Sequence, residues 1–300
     1  LGRYFVQYPI GFACNLQCSY CFHREHHLTG VYPEDAFTYE QFVAWRRHFL
    51  GDSEVIVHPH GGEPFCDENR GRMNSLLRGD DPLDILSNGV VPTENYRSLI
   101  RNPGAVRRIG LTYHRAVIEG RSDLHELFVT NVHHLADAGI NVYVKELLLV
   151  DYVDDIAADM EAWALAGIPV VIQDFKGVVK GLSGEEYKRY TPKMLDMISR
   201  EFWKSGSVCQ CGPAGFTNVL IRGGWRSGDV VACWSDPVIV GNIQKMEYKT
   251  GYRIEPNLPS FRMSVVGVEK KYGGTRHRDL PVVCADIAED SYIKPMREAV

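Results

Sequence analysis

The segment YPIGFACNLQCSYCFHR, residues 8–24, sets three thiols, Cys14, Cys18 and Cys21, within eight residues at the end of an apolar run. Thiolates are soft ligands suited to iron, and three of them can hold three corners of a cubane cluster while the fourth iron stays open. An open iron needs a ligand from elsewhere, and a small molecule with amine and carboxylate groups can supply it. A structural zinc site needs a fourth protein ligand, for which His23, His26 or His27 stand close in sequence.

Around this loop, residues 4–203 alternate strand and helix signals. An apolar run, Tyr4 to Ile10, leads into the cysteines. YEQFVAWRRHFL (39–50) has helical spacing, and SEVIVH (53–58) is a strand that runs into GGEP at 61–64. A helix follows GGEP, and PLDILSNG (82–89) ends a strand in a turn. PTENYRSLI (92–100) reads as a helix, AVRRIGLTYH (105–114) as a strand and SDLHELFVTNVHHLADAG (122–139) as a helix stopped by glycine. The strand INVYVKELLLV (140–150), the helix DDIAADMEAWALAG (154–167) and the strand IPVVIQDF (168–175) complete six strands, and a helix near 191–203 closes the region. Units of this length imply an α/β fold with a parallel sheet covered by helices. Periodicity alone fits an open doubly wound sheet or an incomplete barrel equally.

The CxxxCxxC pattern, with Tyr20 just before its last cysteine and GGEP following at the end of the second strand, resembles the signature of the radical S-adenosylmethionine superfamily. The resemblance covers about residues 4–203 and implies a partial (β/α)6 TIM-like barrel, a site-differentiated [4Fe-4S] cluster on Cys14, Cys18 and Cys21, and S-adenosyl-L-methionine on the open iron. It implies that Gly61, Gly62, Glu63 and Pro64 bind the cofactor's methionine amine, and that the Tyr20 backbone contacts adenine. Ser87 and Asn88, ending the third strand, look like the polar groups that face the cofactor. Tyr113 and His114 end the fourth strand, and Lys145 in the fifth suits a carboxylate as a point charge; each of these three is equally a core or rim residue. Gln173 and Asp174 end the sixth strand at the barrel mouth, where substrate sits. Cys66, two residues past GGEP, is a buried inert thiol or a hydrogen-atom donor. His58 and His60 are expected to pack.

Past residue 203 the texture changes to short strands among glycines, such as FTNVLI (216–221) and DVVACW (229–234). The sequence divides into residues 1–203 and a small cysteine-pinned module, 204–300. Its Cys209, Cys211, Cys233 and Cys284 resemble SPASM and Twitch extensions, which implies one auxiliary [4Fe-4S] cluster; zinc is the alternative. The stretch 176–192 is read as a surface connection or a substrate-side loop.

The resemblance implies cleavage of S-adenosylmethionine to a 5′-deoxyadenosyl radical, with electrons from a flavodoxin or ferredoxin. The sequence reading favours epimerisation or dehydrogenation of a small natural-product precursor such as an amino sugar. A peptide maturase forming a cross-link or an epimerised residue stands close behind, although a cysteine loop starting at residue 14 leads to the expectation of no leader-binding domain ahead of it. A metal-stabilised binding protein is the non-enzymatic alternative. A net charge of -5, from 33 basic and 38 acidic residues, disfavours a broad nucleic-acid footprint. No apolar window is long enough for a membrane span, so a cytoplasmic protein is expected.

Overall fold

The computed structural model describes residues 2–19, 21, 23, 29–30, 34, 37–147 and 149–173, and then 179–180, 186–187, 207–209, 212–213, 217–224, 228–233 and 236–249. Six strands come first in the chain: β1 (Arg3–Gly11), β2 (Glu54–Gly61), β3 (Leu83–Ser87), β4 (Val106–Tyr113), β5 (Val142–Leu147) and β6 (Val170–Gln173). Between them lie α1 (Tyr39–Leu50), α2 (Arg70–Leu77), α3 (Arg97–Arg101), the single turn α4 (Arg115–Ile118), α5 (Ser122–Asp137) and α6 (Val153–Leu165).

All six strands are parallel and lie side by side in chain order, β1 to β6. A doubly wound sheet reverses its strand order once; this one never does. Crossovers of one hand then put every helix on one face and leave the other to curl into an interior, which is the partial barrel.

The two faces are chemically distinct. Val6, Tyr8, Val57, Ile85, Leu111 and Val144 alternate along the strands into the core beneath the helices. The opposite face carries Phe5 and Ile56, which form a separate small cluster, and then polar groups. His58 stacks on Phe5 with ring centroids 5.4 Å apart, and its Nδ1 lies 2.6 Å from the Asp84 carbonyl oxygen. Arg108 Nε donates to Asp84 Oδ2 at 2.7 Å and its guanidinium lies over the Tyr143 ring. This part-buried ion pair lies toward the N-terminal ends of β3 and β4.

Local chemistry explains the element ends. Thr38 and Gln41 form a capping box on α1, each side chain accepting from the other's backbone N–H. The expected helix over 92–100 is divided into a tight turn, Thr93–Tyr96, and α3, because only ten residues separate Pro92 from Pro103. On α5, buried Asn131 donates from Nδ2 to the Gly89 and Val91 carbonyls, both at 2.9 Å, and so fixes the loop after β3.

The later strands form two separate two-stranded pairs and a four-strand extension of the sheet's first edge. β7 (Val179–Lys180) pairs with β8 (Glu186–Tyr187), and β9 (Ser207–Cys209) with β10 (Gly212–Pro213). β11 (Thr217–Ile221) runs parallel to β1, and β12 (Asp229–Cys233), β13 (Asp236–Asn242) and β14 (Glu247–Tyr248) continue antiparallel from it. Fully buried Trp45 on α1 donates from its indole to the Glu247 carbonyl at 3.0 Å and packs on Tyr248, tying this extension to the barrel. The helix expected at 191–203 lies outside the described residues. Among the described residues no helix is long and apolar enough to cross a membrane.

Candidate functional site

The C-terminal ends of β1 and β2 bond to each other through the two sequence motifs. Gly62 N donates to Gly11 O and Glu63 N to Ala13 O, each at 2.8 Å, so the GGEP backbone grips the chain one residue before Cys14. A Cβ on Gly61 would lie 2.1 Å from Gly11 O, and one on Gly62 would lie 2.0 Å from Ala13 O. Gly61, with φ of 130°, also needs the backbone freedom of glycine. The glycines are therefore required by the cysteine loop itself.

Ala13 O also accepts from Asn69 Nδ2 at 3.0 Å and from the Cys66 thiol at 3.4 Å. The Cys66 side chain is thus turned to the loop backbone, and burial pushes its thiol up to about 12. Such a thiol stays protonated and is a poor nucleophile.

Glu63 is buried beside Pro64 and spans the ends of β2 and β3. Its Oε1 accepts from Phe65 N at 3.1 Å and Ser87 Oγ at 2.8 Å, and its Oε2 from Asn88 N at 2.7 Å. Burial pushes the carboxyl up to about 7, while the three donors pull it down. Ser87 Oγ lies 2.8 Å from the Tyr96 hydroxyl, so Ser87 serves this brace.

Each sulfur of the triad has nitrogen neighbours. Leu16 N donates to Cys14 Sγ at 3.4 Å, Asn88 Nδ2 approaches the same sulfur at 3.7 Å, and His23 N donates to Cys21 Sγ at 3.4 Å. Cys18 Sγ lies 3.5 Å from His114 Nδ1. Desolvation raises the Cys14 thiol to about 11 and raises Cys21 as well, so ligation at this site displaces protons. Among the described residues no three His, Cys, Asp or Glu side chains converge on one point, as ligands of a single ion must. Thiolates of a cubane sit on separate irons and need no such convergence, and N–H donors aimed at sulfur are what a cluster's thiolates require. The loop's donor set fits a three-cysteine cluster.

The remaining expected residues divide between the faces. Lys145 pairs in register with Thr112 on the interior face, and burial pushes its ammonium down to about 8, with Asp84 partly opposing the shift. His114 ends β4 beside the triad and is held near 4 by burial, hence neutral. Tyr113 turns the other way: its hydroxyl lies 3.0 Å from His125 Nδ1 and its ring packs on Phe128 among the helices. His60 Nε2 reaches the Ile221 carbonyl at 2.9 Å, a packing role like that of His58. Gln173 ends β6, but its side chain is not among the described groups, nor are those of Cys209 and Cys233 in β9 and β12. Tyr20, Asp174, Cys211 and Cys284 lie outside the described residues.

Three residues that sequence reasoning missed belong to the site. Asn69 Nδ2 joins the Ala13 and Glu63 carbonyls, Asn15 Nδ2 donates to Val90 O while its Oδ1 accepts from Asn88, and Tyr96 closes the Ser87 network. Asn15, within the cysteine motif, had a signal in its position; the other two had none.

No family model matches the sequence, and no curated protein matches it. Solved structures do match in three dimensions. anSMEcpe with bound AdoMet and the Cp18Cys peptide is 14% identical, over 98% of this chain and 94% of that one, at a TM-score of 0.56. anSMEcpe with AdoMet and the Kp18Cys peptide is 12% identical, over 98% and 99%, at 0.54. Streptococcus suis SuiB bound to S-adenosylmethionine is 12% identical, over 92% and 76%, at 0.58. At such identities the likeness is one of fold, and it agrees with the topology: the chain shares with these S-adenosylmethionine-bound structures a partial barrel followed by a C-terminal group of strands.

Proposed function

We propose that this chain is a radical S-adenosylmethionine enzyme that takes a hydrogen atom from a peptide held at the barrel mouth. The observation that carries the reading is the pair of backbone hydrogen bonds that dock GGEP onto the cysteine loop. They hold the three-thiol loop against the end of β2, at the strand ends where ligands of parallel barrels sit. When bound, the cluster and S-adenosylmethionine supply the one-electron cleavage that yields a 5′-deoxyadenosyl radical.

The chain's own groups hold and orient. Cys14, Cys18 and Cys21 would ligate iron, and Gly61 and Gly62 let the loop that carries them pack directly on the end of β2. Lys145, on the interior face, offers a charge for a carboxylate. Glu63, engaged by three donors, acts here chiefly as the brace that keeps Asn88 and the loop in place. Cys66 is assigned to the loop rather than to hydrogen donation. Cys209, Cys211, Cys233 and Cys284 are the candidates for an auxiliary cluster, and a flavodoxin or ferredoxin would deliver electrons.

A peptide is placed ahead of the amino-sugar precursor expected from sequence because two of the matching structures carry bound peptides. The test is anaerobic turnover with reductant, S-adenosylmethionine and a library of cysteine- and serine-containing peptides. Formation of 5′-deoxyadenosine with a peptide product two hydrogens lighter is expected. Deuterium uptake from solvent without loss of mass would instead identify an epimerase, and turnover of small amines alone would reject the peptide.

A further inference from the structure

Two of the nitrogen groups around the triad come from side chains that the sequence reading had assigned to the cofactor. His114 stands at the end of β4 with Nδ1 3.5 Å from Cys18 Sγ. Asn88 stands just past β3 with Nδ2 3.7 Å from Cys14 Sγ and 2.7 Å from Asn15 Oδ1. In this structure the thiols stand in for the thiolates that would ligate iron. A thiolate has no proton and only accepts, so beside it the imidazole must carry its proton on Nδ1.

We infer that His114 and Asn88 are positioning residues for the cluster, donating N–H to the sulfurs of Cys18 and Cys14 and raising its reduction potential. The inference rests on the proposed three-cysteine cluster. Reduction adds negative charge that the sulfurs share, so a donor aimed at sulfur binds the reduced state more strongly than the oxidised one. Asn88 is buried and His114 partly buried, where such a dipole is less screened than in water. Both are also anchored: His114 by its place at the strand end, and Asn88 by Oδ1, which accepts from Val90 N at 3.0 Å. Two other donors to the triad, Leu16 N and His23 N, are backbone groups that substitution leaves in place.

The test is a redox titration followed by electron paramagnetic resonance on the full chain, reconstituted with iron and sulfide and without S-adenosylmethionine. The triad's signal is the one lost when all three cysteines become alanine. His114→Leu removes the donor and His114→Gln keeps an N–H. We expect H114L to lower the one-electron reduction equilibrium about tenfold, a negative shift of about 59 mV, with iron per chain unchanged. H114Q should recover most of the shift. Asn88→Asp, which keeps the acceptor for Val90 N, should also move the potential negative and guards against a folding defect at His114. Unchanged potentials in H114L and N88D at full iron content would overturn the inference while leaving the cluster intact. Direct nitrogen ligation of iron, seen as a strong nitrogen coupling that H114L abolishes, would overturn it as well. A wild-type chain that takes up no triad iron would overturn both the inference and the proposed function, and is seen before any potential is read.

Discussion

Glu63→Ala is expected to destabilise the ligand-free protein by on the order of 3 kcal/mol or more, and Glu63→Gln by somewhat less. The carboxylate accepts from Phe65 N, Ser87 Oγ and Asn88 N in a buried setting. Alanine leaves the Phe65 and Asn88 N–H groups without this acceptor and Ser87 Oγ with Tyr96 alone, and each buried donor so abandoned costs roughly 1–3 kcal/mol. Glutamine does not repair this. One of its two amide orientations sets an N–H against Asn88 N–H, and the other sets it against Phe65 N–H. The wild-type acid has a further option, since a proton on Oε1 can point at Ser87 Oγ. Its pH dependence follows from the sign of the shift. The folded-state value, about 7, lies above the ordinary 4.5, so this group's contribution is full below about pH 4.5 and is lost as pH rises through about 7. Urea unfolding with thiols kept reduced, run at pH 5 and pH 8, measures both effects. A cost under 1 kcal/mol for E63A, or an E63Q curve with the wild-type pH slope, would show that Glu63 is not the brace described here.

Gly62→Ala is expected to be at least as damaging, and its damage should reach the cysteine loop. The new methyl would lie 2.0 Å from Ala13 O and 2.7 Å from both the Ala13 and Phe12 carbonyl carbons, all backbone atoms that cannot swing aside. Either the loop or the end of β2 must move, which breaks the Gly62 N to Gly11 O and Glu63 N to Ala13 O hydrogen bonds. Overpacking of this kind costs about 1–3 kcal/mol, and more where backbone is the obstacle. The functional consequence should be a large loss of iron on reconstitution. Gly104→Ala, where a Cβ meets nothing within 4 Å, is the control that should leave stability and iron uptake nearly unchanged. Wild-type iron content in G62A would refute the coupling of the two motifs.

The barrel was legible because its signals are local. Continuous apolar runs such as Val55 to Val57, glycine after α5 and α6, and Gly-Gly at the end of β2 each fix one element with its neighbours alone. The attachment of β11 to β1 was not legible, since pairing across some two hundred residues leaves no short-range mark. Within the site, the direction of a side chain was harder to read from sequence than its type. Tyr113 was grouped with His114 as a cofactor contact, yet adjacent strand residues point to opposite faces, and Tyr113 falls on the helix side. Ser87 carries a hydroxyl in the expected place, but a buried Glu63 and Tyr96 claim it first. Asn69 was invisible because its value lies in the two carbonyls that folding brings within reach of one amide.

The central claim is that Cys14, Cys18 and Cys21 hold a cluster that cleaves S-adenosylmethionine. The most direct measurement is iron, sulfide and 5′-deoxyadenosine per chain, under anaerobic reconstitution with reductant, for the wild type and for a variant with all three cysteines changed to alanine. The variant, still folded, is expected to lose about four irons and all 5′-deoxyadenosine formation. Equal iron in the two proteins, or cleavage that survives in the variant, would contradict the claim.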